Sequence, residues 1–209
     1  MRFTEAQIDA LRERVRSSMS EFRFVHTAEV EKMAVRLAEL YAPEKTDILR
    51  VSALLHDITK EKKPNEHIEM LLNVGESVSE EDRASYKTLH ARTAVYGIMN
   101  EYPEFAVPEV LDAVRYHTTG RANMSICECI IFLADYIDES RKFDDCVYLR
   151  KYFWEAEPQR MSEEARIVHL YKTLVLAFEL TLKALIEEKS PISVLSIEAR
   201  NSLILKLDK

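Results

Sequence analysis

Glycine is scarce in this 209-residue chain, with only Gly75, Gly97 and Gly120. Three glycines this far apart build neither a G-x-G-x-x-G fingerprint nor a phosphate-cradling G-x-x-x-x-G-K loop, so both nucleotide-binding motifs are excluded. Positive charge is also in deficit, at 29 Lys and Arg against 36 Asp and Glu, a net charge of −7. That balance argues against a broad basic face that binds nucleic acid. An anionic substrate would need local positive charge, because fields decay over about 8 Å at physiological salt. The three cysteines, Cys127, Cys129 and Cys146, form no even disulfide framework, and a reducing cytoplasm is expected. Cys127 and Cys129 lie two apart in a helical pattern and face different ways, so all three read as structural. No apolar run approaches 18 residues, and the opening MRFTEAQIDALRERVRSS lacks an apolar stretch. Neither a membrane span nor a signal peptide is expected.

The pattern that is present is helical. His26, Val30, Met33, Leu37 and Leu40 step by four and three residues to form one stripe, which Pro43 ends. Further helices are expected near 4–20, 44–58, 65–73, 80–101, 108–118 and 125–139, then at 162–188 and from about 194. Ser162-Glu-Glu-Ala opens the long one with a cap and acids in its first turn. Gly120 stands where a C-terminal glycine belongs. No strand alternation is found, so the fold class is all-α. The apolar pattern breaks near 140–160, at KFDD and EPQRM.

Polar residues invade these apolar stripes. His26 heads its own stripe, His56 and Asp57 end VSALLHDI, and His90 begins LHARTAVYGIM. His117 ends VLDAVRYH, and Asp135 interrupts CIIFLADYI. Taken singly, each histidine reads as a hydrogen-bonded core residue. Asp135 alone reads as a carboxylate buried against Arg141. Together, six N and O donors suit a hydrolytic Fe, Mn, Co or Zn site and do not suit a thiolate centre. Asp57, beside a histidine, is placed to bridge two ions. His67 and His169 read as ordinary helix residues.

The order His26, His56-Asp57, His90, His117, Asp135 resembles the HD-domain metallohydrolases. RFVH at 23–26, ALLHDITK at 53–60, VRYHTTGR at 114–121, IFLADYIDESR at 131–141 and SIEARN at 196–201 are similar to the YqeK-like branch, from about residue 20 to the last helix. The resemblance implies an HD-type helical bundle with added C-terminal helices. Its expected parts are an N-terminal helix (1–20), a metallohydrolase core (21–142) and a helical extension packed on the core (143–209). It implies symmetrical hydrolysis of dinucleoside tetraphosphates, such as diadenosine tetraphosphate to two ADP, by a metal-bound hydroxide. His26, His56, Asp57 and Asp135 would hold iron, as one or two ions. His90 and His117 would bind a second ion or substrate phosphates. Asp57 and Lys60 would act in catalysis, and Arg23 would contact nucleotide. Lys60, Thr118, Thr119, Arg121 and Arg141 would contact phosphate. Asp138-Glu139-Ser140 departs from the usual Glu-Pro at that loop. The expected partner is a small nucleotide, with neither nucleic acid nor membrane, and a homodimer is left open. Three alternatives stand beside this one: another HD nucleotidase or dNTP hydrolase, a nucleotide-binding sensor linked to NAD metabolism, and a helical scaffold with buried histidines.

Overall fold

The computed structural model describes residues 2–208. It is all-α: the described residues form eleven α-helices and four single 3-10 turns, with no strand. Helix α1 (Glu5–Ser18) starts at a reciprocal Thr4–Gln7 cap and buries Ile8, Leu11 and Val15 along one face. Ser20 caps α2 (Glu21–Tyr41), which ends before Pro43. Helix α3 (Thr46–Leu55) is the hub. Every residue from Asp47 to Leu55 except Arg50 is buried, and α1, α2, α7 (Pro108–Arg115) and α8 (Ile126–Ile137) all pack on it. A helix buried on all sides but one lies at the centre of the core. Asp47 accepts the Phe3 amide at 2.8 Å and so ties the N-terminal segment to α3.

Helix α4 (Pro64–Asn73) packs on α6 (Leu89–Glu101), and α6 packs on α7. The expected helix over 80–101 is broken. Glu80–Ala84 forms a short α5, a 3-10 turn follows, and α6 starts at the buried Leu89. The α5 sequence EEDRA buries nothing, so no packing carries it on as one helix. The 44–58 and 108–118 helices are also shorter, ending at Leu55 and Arg115. This places His56-Asp57 and His117 in turns at helix C-termini.

A helix the sequence reading missed, α9 (Asp144–Glu155), fills the 140–160 break. Its signal was present, since buried Cys146, Leu149 and Phe153 are spaced by three and four residues behind an acidic first turn. Helices α9 and α10 (Glu163–Glu187) pack on α8, and α11 (Val194–Leu207) packs on α10. Gly120 lets them close over the turn that carries His117. Its φ is +62°, and a Cβ there would sit 2.6 Å from the Phe178 ring and 2.9 Å from Ala199 Cβ. His67 in α4 and His169 in α10 are helix residues apart from the donor cluster, and both are buried. His67 pairs with Thr93 Oγ1 at 2.8 Å, and His169 with the Phe153 carbonyl at 3.0 Å. All three cysteines are buried and unpaired, and burial lifts their thiols to about 11 or 12, which keeps them unreactive.

Glu76 pins the loop after α4 to α6 and α7, bonding Arg92 at 2.6 Å, Arg115 at 2.9 Å and the Tyr96 hydroxyl. Partial burial would raise its carboxyl, but Arg115, Tyr96 and Arg92 outweigh that and hold it at about 2. A depressed carboxyl stabilises the fold above its ordinary value of 4.5 and loses that contribution as pH falls toward 2. Glu76→Gln is therefore expected to lower the urea midpoint at pH 7, by a margin that shrinks between pH 4.5 and 2. A gap independent of pH would show that the charge is not what binds the loop.

Candidate metal centre

Five helix ends and turns bring six donors to one buried point. His26 comes from the second turn of α2, His56 and Asp57 from the turn after α3, and His90 from the start of α6. His117 comes from the turn after α7, and Asp135 from the last turn of α8. Asp57 is at the middle. Its Oδ1 lies 3.1 Å from His90 Nε2 and 3.8 Å from His117 Nε2, and its Oδ2 lies 3.5 Å from His56 Nε2 and 3.8 Å from His26 Nε2. Asp135 Oδ1 lies 3.0 Å from His26 Nε2 and 3.8 Å from His56 Nε2.

Three imidazoles are oriented by the same device. His56, His90 and His117 each donate Nδ1–H to the carbonyl three residues back, on Ala53 (2.6 Å), Lys87 (2.8 Å) and Val114 (2.6 Å). A carbonyl can only accept, so the proton is on Nδ1 and, in the neutral ring, the Nε2 lone pair faces the cluster. His90 and His117 then oppose Nε2 to Nε2 at 3.0 Å. Two lone pairs at that distance repel each other unless a cation lies between them. His26 Nε2 and His56 Nε2 are buried and find no hydrogen-bond partner of usable geometry. Buried polar atoms are normally satisfied, so orphans gathered at one point call for an ion. Adjacent donors on one divalent ion, each about 2.1 Å from it, stand about 3.0–3.4 Å apart. Three of the spacings, 3.0, 3.0 and 3.1 Å, fall in that frame, and those of 3.5 and 3.8 Å are wider than adjacent donors on one ion. The residues fit a divalent metal: three overlapping triads of these donors could hold one, and a fourth joins His26 and Asp135 to Asp138.

Electrostatics point the same way at four of the donors, while at His26 burial is overcome by Asp135 and Asp138, which lift the imidazole to about 9. Complete burial drives His56 and His117 down, so both stay neutral as ligands require. Burial would raise Asp57, but His56, His90 and Lys60 hold it well below the usual carboxylate range. Asp135 behaves alike, with Arg141, His26 and His56 overcoming its burial.

The sequence reading passed over Asp138 as part of a divergent loop. It is fully buried, with Oδ2 3.4 Å from His26 Nδ1 and 3.3 Å from Arg141 Nε. Ser140 Oγ also reaches His26 Nδ1, at 3.3 Å. A carboxylate behind a ligating histidine fixes its orientation. The available signal was an acid three residues after Asp135, one turn along α8.

The expected substrate contacts divide into two groups. Arg23 Nη1 bonds Asp57 Oδ2 at 2.7 Å, and Lys60 Nζ rests 3.2 Å from both ring nitrogens of His90. Arg141 bonds Asp135 and borders Asp138, so the Asp135–Arg141 pairing weighed from sequence is present alongside the donor cluster. Two clefts open here, of about 570 and 370 Å³. The larger reaches Arg23 and His26, and the smaller reaches His117, Thr118 and Asp135, while Lys60, Arg141 and Phe143 line both. Thr119 lines a separate cleft of about 340 Å³ with Thr118, Arg92 and Arg115. Arg121 borders neither of the first two clefts. Its guanidinium is 2.6 Å from the buried Glu128 and 3.0 Å from Asp112, and lies over the Tyr116 ring. A buried carboxylate must be neutralised, and Arg121 does that here.

Comparison with known proteins agrees with this geometry. Residues 23–140 match the HD domain family. Three relatives are each called symmetrical bis(5′-nucleosyl)-tetraphosphatase. The one from Halalkalibacterium halodurans is 38% identical over 62% of this chain and 67% of the relative. Those from Bacillus subtilis and Staphylococcus aureus are 29% and 32% identical, over 66% and 64% of this chain and 72% and 68% of the relatives. A crystal structure from Clostridium acetobutylicum, described as an HD superfamily hydrolase involved in NAD metabolism, superposes with a TM-score of 0.80 at 32% identity. It covers 95% of this chain and 97% of its own. With its match running from Arg23 through Ser140 and enclosing all six donors, the chain belongs to the HD domain family of metal-dependent hydrolases.

Proposed function

We propose that this chain cleaves dinucleoside tetraphosphates at the central position and releases two nucleoside diphosphates, with diadenosine tetraphosphate as substrate. The observation that carries this reading is the pair of clefts that diverge from one buried donor cluster and share Lys60 and Arg141. A substrate cut at its middle has a nucleoside to place on each side of the reacting phosphorus. The three relatives bear the name of that activity. His26, His56, Asp57 and Asp135 hold the metal, with His90 and His117 completing the set. Iron is the expected ion, and Mn, Co or Zn suits the same donors. When bound, the metal polarises the phosphoryl oxygens and activates water for attack on phosphorus.

The chain supplies the rest. Lys60 has no carboxylate partner among the described residues, so its charge is available to phosphate oxygens. Arg23 and Arg141 lean on Asp57 and Asp135 and face the clefts, where they hold the polyphosphate in line. These cations offset the site's own carboxylates, Asp57, Asp135 and Asp138, so that the charge of a bound metal would supply the local attraction for phosphate that a net charge of −7 does not. Thr118 borders the smaller cleft and presents a buried, unpartnered hydroxyl to a phosphate. The reacting unit spans 21–142. Residues 143–209 support it from behind α8 and close over the His117 turn. The reaction takes place in the cytoplasm, consistent with three unpaired buried thiols.

A substrate panel tests the assignment against other HD activities. For the Mn(II)-loaded protein, kcat/KM on diadenosine tetraphosphate is expected to exceed that on dATP and AMP by at least about a hundredfold. Equal or greater turnover of a mononucleotide would favour the nucleotidase reading.

A further inference from the structure

The larger cleft carries a feature that the reaction chemistry leaves unused. Phe22, in the first turn of α2, and Phe143, at the start of α9, both line it. These rings are 81% and 69% exposed, whereas the other six phenylalanines of the chain are all buried. Arg23, Lys60, Arg141 and Lys142 stand between and beside them. At the inner end is His26, whose buried Nε2 faces the carboxylates of Asp135 and Asp57. The cleft therefore presents apolar rings at its mouth, cations along its wall and a metal-ligating donor at its end. A ligand that complements this order has a flat ring, then phosphates, then a phosphoryl group at the metal.

We propose that Phe22 and Phe143 form a stacking site for the nucleobase of one nucleoside diphosphate half of the substrate. The inference rests on the nucleotide-hydrolase reading above and assigns the base to the larger cleft. Stacking is tolerant of base identity because every base has a π face. Exposed rings gain burial only when such a ligand covers them. Phe143 also lines the smaller cleft, so its ring forms the ridge between the two halves.

Calorimetric titration of the Mn(II)-loaded protein with ADP and with inorganic pyrophosphate separates the base from the phosphates. Phe22→Ala and Phe143→Ala are each expected to weaken ADP binding by roughly tenfold, as loss of base stacking does elsewhere. Pyrophosphate affinity should change less than about twofold, and Phe143→Trp should restore ADP binding. Melting temperatures should hold, since neither ring is packed. Unchanged ADP affinity, or an equal loss for ADP and pyrophosphate, would overturn the stacking site. ADP binding is read without turnover. If diadenosine tetraphosphate proves not to be a substrate, a base-specific loss still upholds the stacking site while the substrate assignment falls.

Discussion

Asp57→Ala is expected to lose its bound metal and at least about a hundredfold in turnover. Loss of a residue that merely orients a ligand already costs 10- to 100-fold in metal affinity or activity, so loss of a central ligand sets that range as a floor. Asp57 is central because its two oxygens lie within 3.8 Å of the Nε2 atoms of His26, His56, His90 and His117. Its removal also leaves Arg23 without its carboxylate partner. Breaking a buried pair can itself unfold a protein, so Asp57→Asn, which keeps the volume and one acceptor, is the companion variant. Elemental metal analysis and circular dichroism on both variants separate loss of ligand from loss of fold. Wild-type metal content and turnover in Asp57→Ala would remove Asp57 from the centre.

The second large effect is expected at Lys60. Lys60→Met keeps the length of the stem and deletes the charge, and should lower kcat by about 10²–10³ while metal stoichiometry stays at the wild-type level. That range matches removal of one positioned donor from a site where charge develops. Burial pulls the Lys60 ammonium below its ordinary value, Asp57 and Asp135 resist, and Arg23 and Arg141 add to the fall. A cation so placed interacts strongly with a phosphoryl group, because little water screens it. A kcat within threefold of wild type would reduce Lys60 to packing against His90. A loss of metal would make it a support for the ligand cluster instead.

The donor set was legible in sequence because its members break a rule. His26, His56, Asp57, His90, His117 and Asp135 fall on apolar stripes or at their ends, and the structure brings all six together. Helical periodicity located most helices for the same reason, since each buries one face. It over-extended α3 and α7, because apolar residues continue past the last helical turn into the His56 and His117 turns. It joined α5 to α6, because periodicity alone does not register that EEDRA has nothing to pack against. Helix α9 was hidden by KFDD and EPQRM, although Cys146, Leu149 and Phe153 carried the spacing.

Long-range pairings were not legible. Nothing local in the sequence shows that Arg121 neutralises Glu128, or that Asp138 lies behind His26. Both depend on how α2, α7 and α8 meet. Exposed Phe22 and Phe143 likewise have no periodic signature, and only their common cleft gives them a meaning.

The central claim is that the metal centre cuts a dinucleoside tetraphosphate in the middle. The direct measurement is chromatography of the products formed from diadenosine tetraphosphate by protein loaded anaerobically with Fe(II) or Mn(II). The account predicts ADP as the only nucleotide product, two for each substrate consumed. AMP with ATP would contradict the central cut. Intact substrate alongside stoichiometric bound metal would contradict hydrolysis itself and leave nucleotide binding as the function of the site.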